Sequence, residues 1–290
     1  MSMGINTNVT SLIAQRKLSA NQTALQASME RLASGYRINH ASDDAAGLTI
    51  SQNLLSQIRR MQQADRNTQD GISVLQTTEG TLSAINDNLQ RVRELTVQAG
   101  NDSNDTSMRS AISNEIRSLL NDVDRMSISA NINGINLLDG SATSAPIQVG
   151  PSSNASNNSI DIASVLTDAS SGGLQLVGST GQTFATVAAI DLNSNASANA
   201  FLTDIDTALH NLSTQRAGIG AFQNQLETIS SNLNDGIVNF SASNSRIRDV
   251  DIAAETATMT QSQILTQAAT MILTQTNDLP KSILSLLQQH

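Results

Sequence analysis

The chain has no cysteine and no tryptophan, and its 290 residues include three prolines, one tyrosine and four phenylalanines. The lack of cysteine excludes disulfides and thiol chemistry, which suits a protein that passes between reducing and oxidising surroundings unchanged. With Tyr36, Phe184, Phe201, Phe222 and Phe240 as the only rings, burial falls to Leu, Ile, Val, Met and Ala. That composition fits narrow helix seams and is atypical of a compact enzyme core. Sixteen basic against 25 acidic residues give a net charge of −9, so there is no broad electrostatic footprint for nucleic acid. No apolar run approaches about 18 residues, so no membrane insertion is expected. The opening MSMGINTNVTSLIAQRK has no continuous apolar segment, so export, if it occurs, does not use an ordinary cleaved signal.

What the chain does have is heptads. From Ile205 the sevens run Ile205, Leu212, Ile219, Leu226, Leu233, Phe240 and Ile247, with Ala208, Phe222 and Ile229 in a partial second seam. An unbroken spacing of seven keeps one apolar stripe on one helix face, which then needs a partner helix. At about 1.5 Å per residue the stretch would span roughly 65 Å. A second long helix is expected from Ala45 to Ala99, behind the hydrogen-bond acceptors Ser42, Asp43 and Asp44 and ahead of Gly100. Its sevens are Leu54, Met61, Thr68, Leu75, Leu82 and Leu89, flanked by Ile58, Ile72, Ile85 and Val92. Gly71 and Gly80 leave the register intact, while Asp65 and Glu79 interrupt the flanking seam.

Shorter helices complete the pattern. The first, Ile5 to Leu32, repeats Leu18, Leu25 and Leu32 before Gly35. A third, Thr106 to Met126, follows a short GNDSND loop, which implies an antiparallel neighbour. Asn133-Gly134 favours a tight turn. A last helix after the charged joint Ser245 to Asp251 carries Val250, Ala257, Ile264 and Met271 in sevens, beside Leu265, Ala268 and Ile272. First is expected to pair with last, and second with the Ile205 helix, leaving the polar middle at the far tip. There Ile147–Val149, Ile160–Ile162, Leu174–Val177 and Phe184–Val187 read as short hairpin strands. The fold class is therefore mainly α: a long antiparallel coiled-coil and helical-bundle rod built from both chain ends, with a small β-hairpin-rich middle. Its expected parts are residues 1–41 with 250–290, residues 42–140 with 201–249, and a short β-rich region 141–200.

Chemistry is sparse. His40, His210 and His290 are far apart and belong to no zinc motif, Gly218 and Gly220 lack the preceding strand of a phosphate loop, and residues 141–200 contain no histidine. No catalytic residue, metal or cofactor is expected.

Several stretches carry a family resemblance. Ala41-Ser42-Asp43-Asp44-Ala45-Ala46-Gly47-Leu48, the segment Leu89 to Ala99, Ser245 to Asp251, Ile5-Asn6-Thr7-Asn8, Gln263 to Ala268 and Leu284 to Leu287 resemble bacterial flagellin, in the same order along the chain. The resemblance covers about residues 1–140 and 201–287; Arg248 departs from it, standing where many flagellins carry an acidic residue. It implies a secreted filament subunit that leaves through the flagellar type III apparatus and polymerises with copies of itself in the extracellular flagellum. It further implies cap and hook-junction partners and an export chaperone. A hook-filament junction protein with related terminal helices is the alternative. By the same resemblance, Arg91, Leu95 and Glu115 match the recognition site for the innate immune flagellin receptor; in themselves they read as two solvated helix charges and a packing residue.

Overall fold

The computed structural model describes residues 7–152, 158–176 and 185–287. Among these, five α-helices dominate: α1 (Val9–Ser34), α2 (Ala45–Ala99), α3 (Thr106–Ser129), α4 (Asn195–Arg248) and α5 (Ile252–Leu287). Local chemistry sets most of their ends. The Asn8 side chain accepts from the Ser11 N–H at 3.0 Å to start α1, and Gly35, at φ 75°, ends it with its own N–H on the Arg31 carbonyl. Asp44 caps α2 by accepting from the Gly47 N–H at 2.8 Å. Its neighbour Asp43 does not cap the helix. Its carboxylate accepts instead from the backbone N–H groups of His40 and Asn39, which hold it below its ordinary pKa and tie the connecting loop together. Asp105 caps α3 through the Met108 N–H, and α3 runs three residues past the Met126 expected from its sevens.

Two small antiparallel sheets follow α3. In the first, β1 (Asn131–Ile132) pairs with β2 (Ile135–Asn136) around Asn133 and Gly134, both with positive φ, as a two-residue hairpin turn requires. In the second, β3 (Pro146–Gln148) pairs with β4 (Ser159–Asp161), with Ile147 opposite Ile160. The remaining strand expectations fail. Leu174 to Leu176 is a turn, held by N–H bonds from Leu174 to Ser170 and from Leu176 to Ser171, with Gln175 at φ 64°. Both leucines are buried, so an apolar i, i+2 pattern marked burial without marking a strand. Val187 opens a single 3₁₀ turn, Val187–Ala189; Val177 and Phe184 lie outside the described residues.

The chain divides into two compact units, Met1–Gln57 with Asn239–His290, and Ile58–Val238. The second holds the large core. Leu75, Leu82 and Leu89 of α2 and Ile205, Leu212, Ile219 and Leu226 of α4 are fully buried, and Leu233 nearly so. At the ends of those stripes Leu54, Met61 and Phe240 are only half-buried. α3 adds Ile116, Leu120 and Val123, making this a three-helix core. The middle of the chain contributes Ile162, Leu166, Leu174, Leu176, Ile190 and Leu192 to the same core. Gly71 explains its own place in α2: a Cβ there would meet the Ile147 side chain at 2.4 Å, so the glycine is a socket for β3.

Candidate assembly surface

The first unit brings the two ends of the chain together. α1 and α5 pack along each other in antiparallel sense, as the sequence suggests. At one end the Asn8 side-chain amide donates to the Thr276 carbonyl at 3.0 Å, and the Ser11 hydroxyl donates to Asn277 Oδ1 at 2.7 Å. At the other, Arg31 reaches Glu255 at 3.8 Å.

The composition of this interface corrects an expectation. On α1 the covered residues include Ala14, Leu18, Leu25, Ser28 and Leu32, so its leucine sevens do face inward. On α5 they include Met259, Ser262, Thr266, Ala269, Leu273 and Thr276. The stripe expected to pair, Ala257, Ile264 and Met271, points away, with Ile264 60% and Met271 65% exposed. Leu265 and Ile272 stand exposed beside it, and Ile252 on the same helix is also exposed. α1 likewise leaves Val9, Leu12 and Ile13 outside. A heptad shows that a face needs burial; it does not say which neighbour supplies it. Small residues at 262, 269 and 276 let the two backbones approach. Their own spacing of seven was the signal that a search for large apolar residues passed over.

A joint closes the unit beside this pair. Tyr36 and Asp249 form an antiparallel backbone bridge, with the Arg37 N–H donating to the Arg248 carbonyl and the Val250 N–H to the Gly35 carbonyl. The Arg248 guanidinium lies over the Tyr36 ring, 4.1 Å from its centroid. Asp251 then caps α5 by accepting from the N–H groups of Ala253 and Ala254.

In the second unit, Arg91 and Glu115 meet across α2 and α3 at 3.1 Å, and Arg91 also reaches Glu94 at 3.1 Å. The two carboxylates, Glu115 first, raise the Arg91 pKa. Both members of the cross-helix pair are about half exposed. Leu95 does not share their surface. It is 2% exposed and packs inside the core, because on this helix it lies on the stripe that faces α3 and α4. Its contribution to any surface there is to hold α2 in place.

Among the described residues no group of three or more His, Asp or Glu is placed to hold a metal ion, and no helix is long and apolar enough to cross a membrane. What the first unit offers is two paired helices, the leucine sevens of α1 set against a face of α5 made largely of small residues, with a second set of large apolar side chains left exposed. That arrangement defines an assembly subunit.

Comparison with known proteins names the assembly. Residues 5–143 match the bacterial flagellin N-terminal helical region, and residues 202–287 the C-terminal helical region. Flagellin of Halalkalibacterium halodurans is 37% identical over 290 residues, covering 99% of this chain and all of that protein. Flagellin of Bacillus subtilis is 40% identical over 307 residues, covering 99% and 100%. The flagellar filament 30.7 kDa core protein of Treponema maltophilum is 38% identical over 290 residues, covering 98% and 100%. The chain belongs to the bacterial flagellin family and is a structural subunit of the flagellar filament.

Proposed function

We propose that this subunit leaves the cell unfolded through the flagellar export apparatus and polymerises by burying the outward stripes of α1 and α5 against neighbouring copies. The observation that carries this reading is the exposure of Ile264, Met271 and Ile272 on a helix whose other face is already paired. A stripe of large exposed apolar side chains on one helix face marks an interaction site. In this reading residues 1–41 and 250–290 line the filament core, residues 42–140 and 201–249 surround it, and residues 141–200 stand furthest out. The helices of the chain ends gain most of their stability from packing, so they order fully on assembly. An export chaperone covers the same apolar stripes before secretion, and cap and hook-junction proteins meet the subunit at the ends of the filament. The role of the subunit is structural, as that of its family is.

Seeded polymerisation followed by electron microscopy tests this reading. The double variant Ile264→Ser, Met271→Ser keeps the helical circular dichroism of the monomer and forms no filaments; normal filaments from it would refute the role of the stripe. The exposed Arg91–Glu115 pair is, by family resemblance, where the innate immune receptor would engage. Arg91→Ala monomer is then a weaker agonist in a receptor-signalling assay, and equal signalling from both proteins removes Arg91 from that role.

A further inference from the structure

The apolar seam that joins α2 to α4 repeats every seven residues from Leu54 to Leu89 and from Ile205 to Phe240. Seven-residue repetition carries an ambiguity: sliding one helix by a heptad, about 10 Å, restores most of the apolar contacts. Something else has to select the register.

From Ser51 to Glu79 a second position of the α2 heptad alternates between polar and apolar, Ser51, Ile58, Asp65, Ile72, Glu79, before the polar Asn86 and Arg93. Ser51, Asp65 and Glu79 each have a hydrogen-bonding partner on α4, in antiparallel order. In the terminal unit the Ser51 hydroxyl donates to Asn244 Oδ1 at 2.7 Å. In the second unit the Ser230 hydroxyl donates to Asp65 Oδ1 at 2.6 Å while accepting from Gln69 Nε2 at 3.0 Å. Two heptads along, Arg216 donates to Glu79 Oε1 through Nε at 2.9 Å and through a terminal nitrogen at 2.7 Å. Between the clasps, Ile58 and Ile72 are buried at 7% and 8% exposure. Over this stretch the polar side chains of α2 therefore recur with a period of fourteen, twice that of the main seam.

We infer that this alternation is a register code, with Asp65 and Glu79 as the residues that specify how α2 pairs with α4. A one-heptad slip in one sense sets Asp65 level with Ile237; in the other it sets Glu79 level with Leu209. Either way a partly covered carboxylate loses its donor, and Arg216 or Ser230 loses its acceptor. The Glu79–Arg216 clasp is not built for maximal stability, because Glu79 Oε2 is buried without a hydrogen-bond partner. A charged layer that costs stability and discriminates between otherwise equivalent pairings is the usage known from polar positions in coiled coils. For a filament subunit the consequence is uniform geometry, since a slipped copy would misplace its outer faces by about 10 Å.

The absence of cysteine makes the test direct. Spin labels on Asp87→Cys and Glu227→Cys, both at exposed positions, report the axial offset of α2 against α4 in full-length monomer refolded from denaturant. The parent gives one distance. Removing the clasps with Ser51→Ala, Asp65→Ala, Glu79→Leu and Arg216→Leu adds a second population shifted by about 10 Å, while the swapped pair Glu79→Arg, Arg216→Glu retains the single parental distance. A single unshifted distance in the clasp-free chain overturns the inference, as does a shifted population in the swapped one. If the clasp-free chain does not regain its helical signal, the milder variant Asp65→Leu, Glu79→Met, which removes both acceptors, is read in the same way. There, too, a second population supports the code and a single parental distance overturns it.

Discussion

Asn8 and Thr276 stand 268 residues apart in sequence and are joined by one hydrogen bond, from the Asn8 side-chain amide to the Thr276 carbonyl oxygen at 3.0 Å. The contact sits where α1 begins against the far part of α5, and among the described residues α1 and α5 pack chiefly against each other. The pair covers the leucine sevens of α1 with a face of α5 made largely of small residues. Ile264, Met271 and Ile272 stay exposed on another face of α5.

Removal of Ile5 to Leu32 is accordingly expected to abolish polymerisation while leaving the Ile58–Val238 unit helical, because the core of that unit draws on α2, α3, α4 and the middle of the chain. Electron microscopy and circular dichroism of the truncated protein check this. Loss of helical signal throughout the chain would contradict the independence of the second unit.

Leu82 is fully buried in the three-helix core, and Leu82→Ala is expected to cost about 2–5 kcal/mol by lost transfer energy and the cavity left behind. Met61, half-buried near the end of the same stripe, loses less on the same substitution. Denaturant midpoints of the two variants should fall in that order.

Gly35 ends α1 at φ 75°, with no heavy atom within 4 Å of where a Cβ would sit. The cost of Gly35→Ala is therefore conformational, about 1–2 kcal/mol for an L-residue held in the left-handed region. Hydrogen exchange should show it as faster opening of the amides around the Gly35–Val250 bond, with amides of the Ile58–Val238 core unchanged.

Asp43 and Asp161 are both held below their ordinary pKa, Asp43 by the N–H groups of His40 and Asn39, Asp161 by those of Ala145 and Ala163. A carboxylate whose pKa is depressed on folding stabilises the fold at neutral pH. That stabilisation fades as pH falls below about 4 through the folded-state value. Asp161→Asn should thus be less stable than the parent at pH 7, and the difference should shrink in acid. A gap that is constant down to about pH 2 would show that the charge of Asp161 is not what these hydrogen bonds favour.

Much of this fold was legible in the residues. The bounds of α2 follow from Asp44 at its start, Gly100 after its end and uninterrupted sevens between, all of which are local. Asn133-Gly134 specified its turn because few other pairs tolerate two positive φ angles in succession. The pairing of first helix with last, and of second with fourth, followed from matching heptad lengths. The candidate receptor site was legible only as residue types. Arg91 and Glu115 become a pair through the packing of α3 on α2, which also takes Leu95 inside.

The sequence by itself determined the helices, their amphipathic faces and the family, because periodicity, caps and motif order are properties of neighbouring residues. Tertiary structure decided which of two stripes on α5 meets α1, that Leu174 and Leu176 are buried from a turn, and that Asp65 and Glu79, which looked like interruptions, have partners on α4. Each of these depends on what lies across an interface from a residue. A period of seven fixes the angular position of a face around its helix and leaves open what that face will touch.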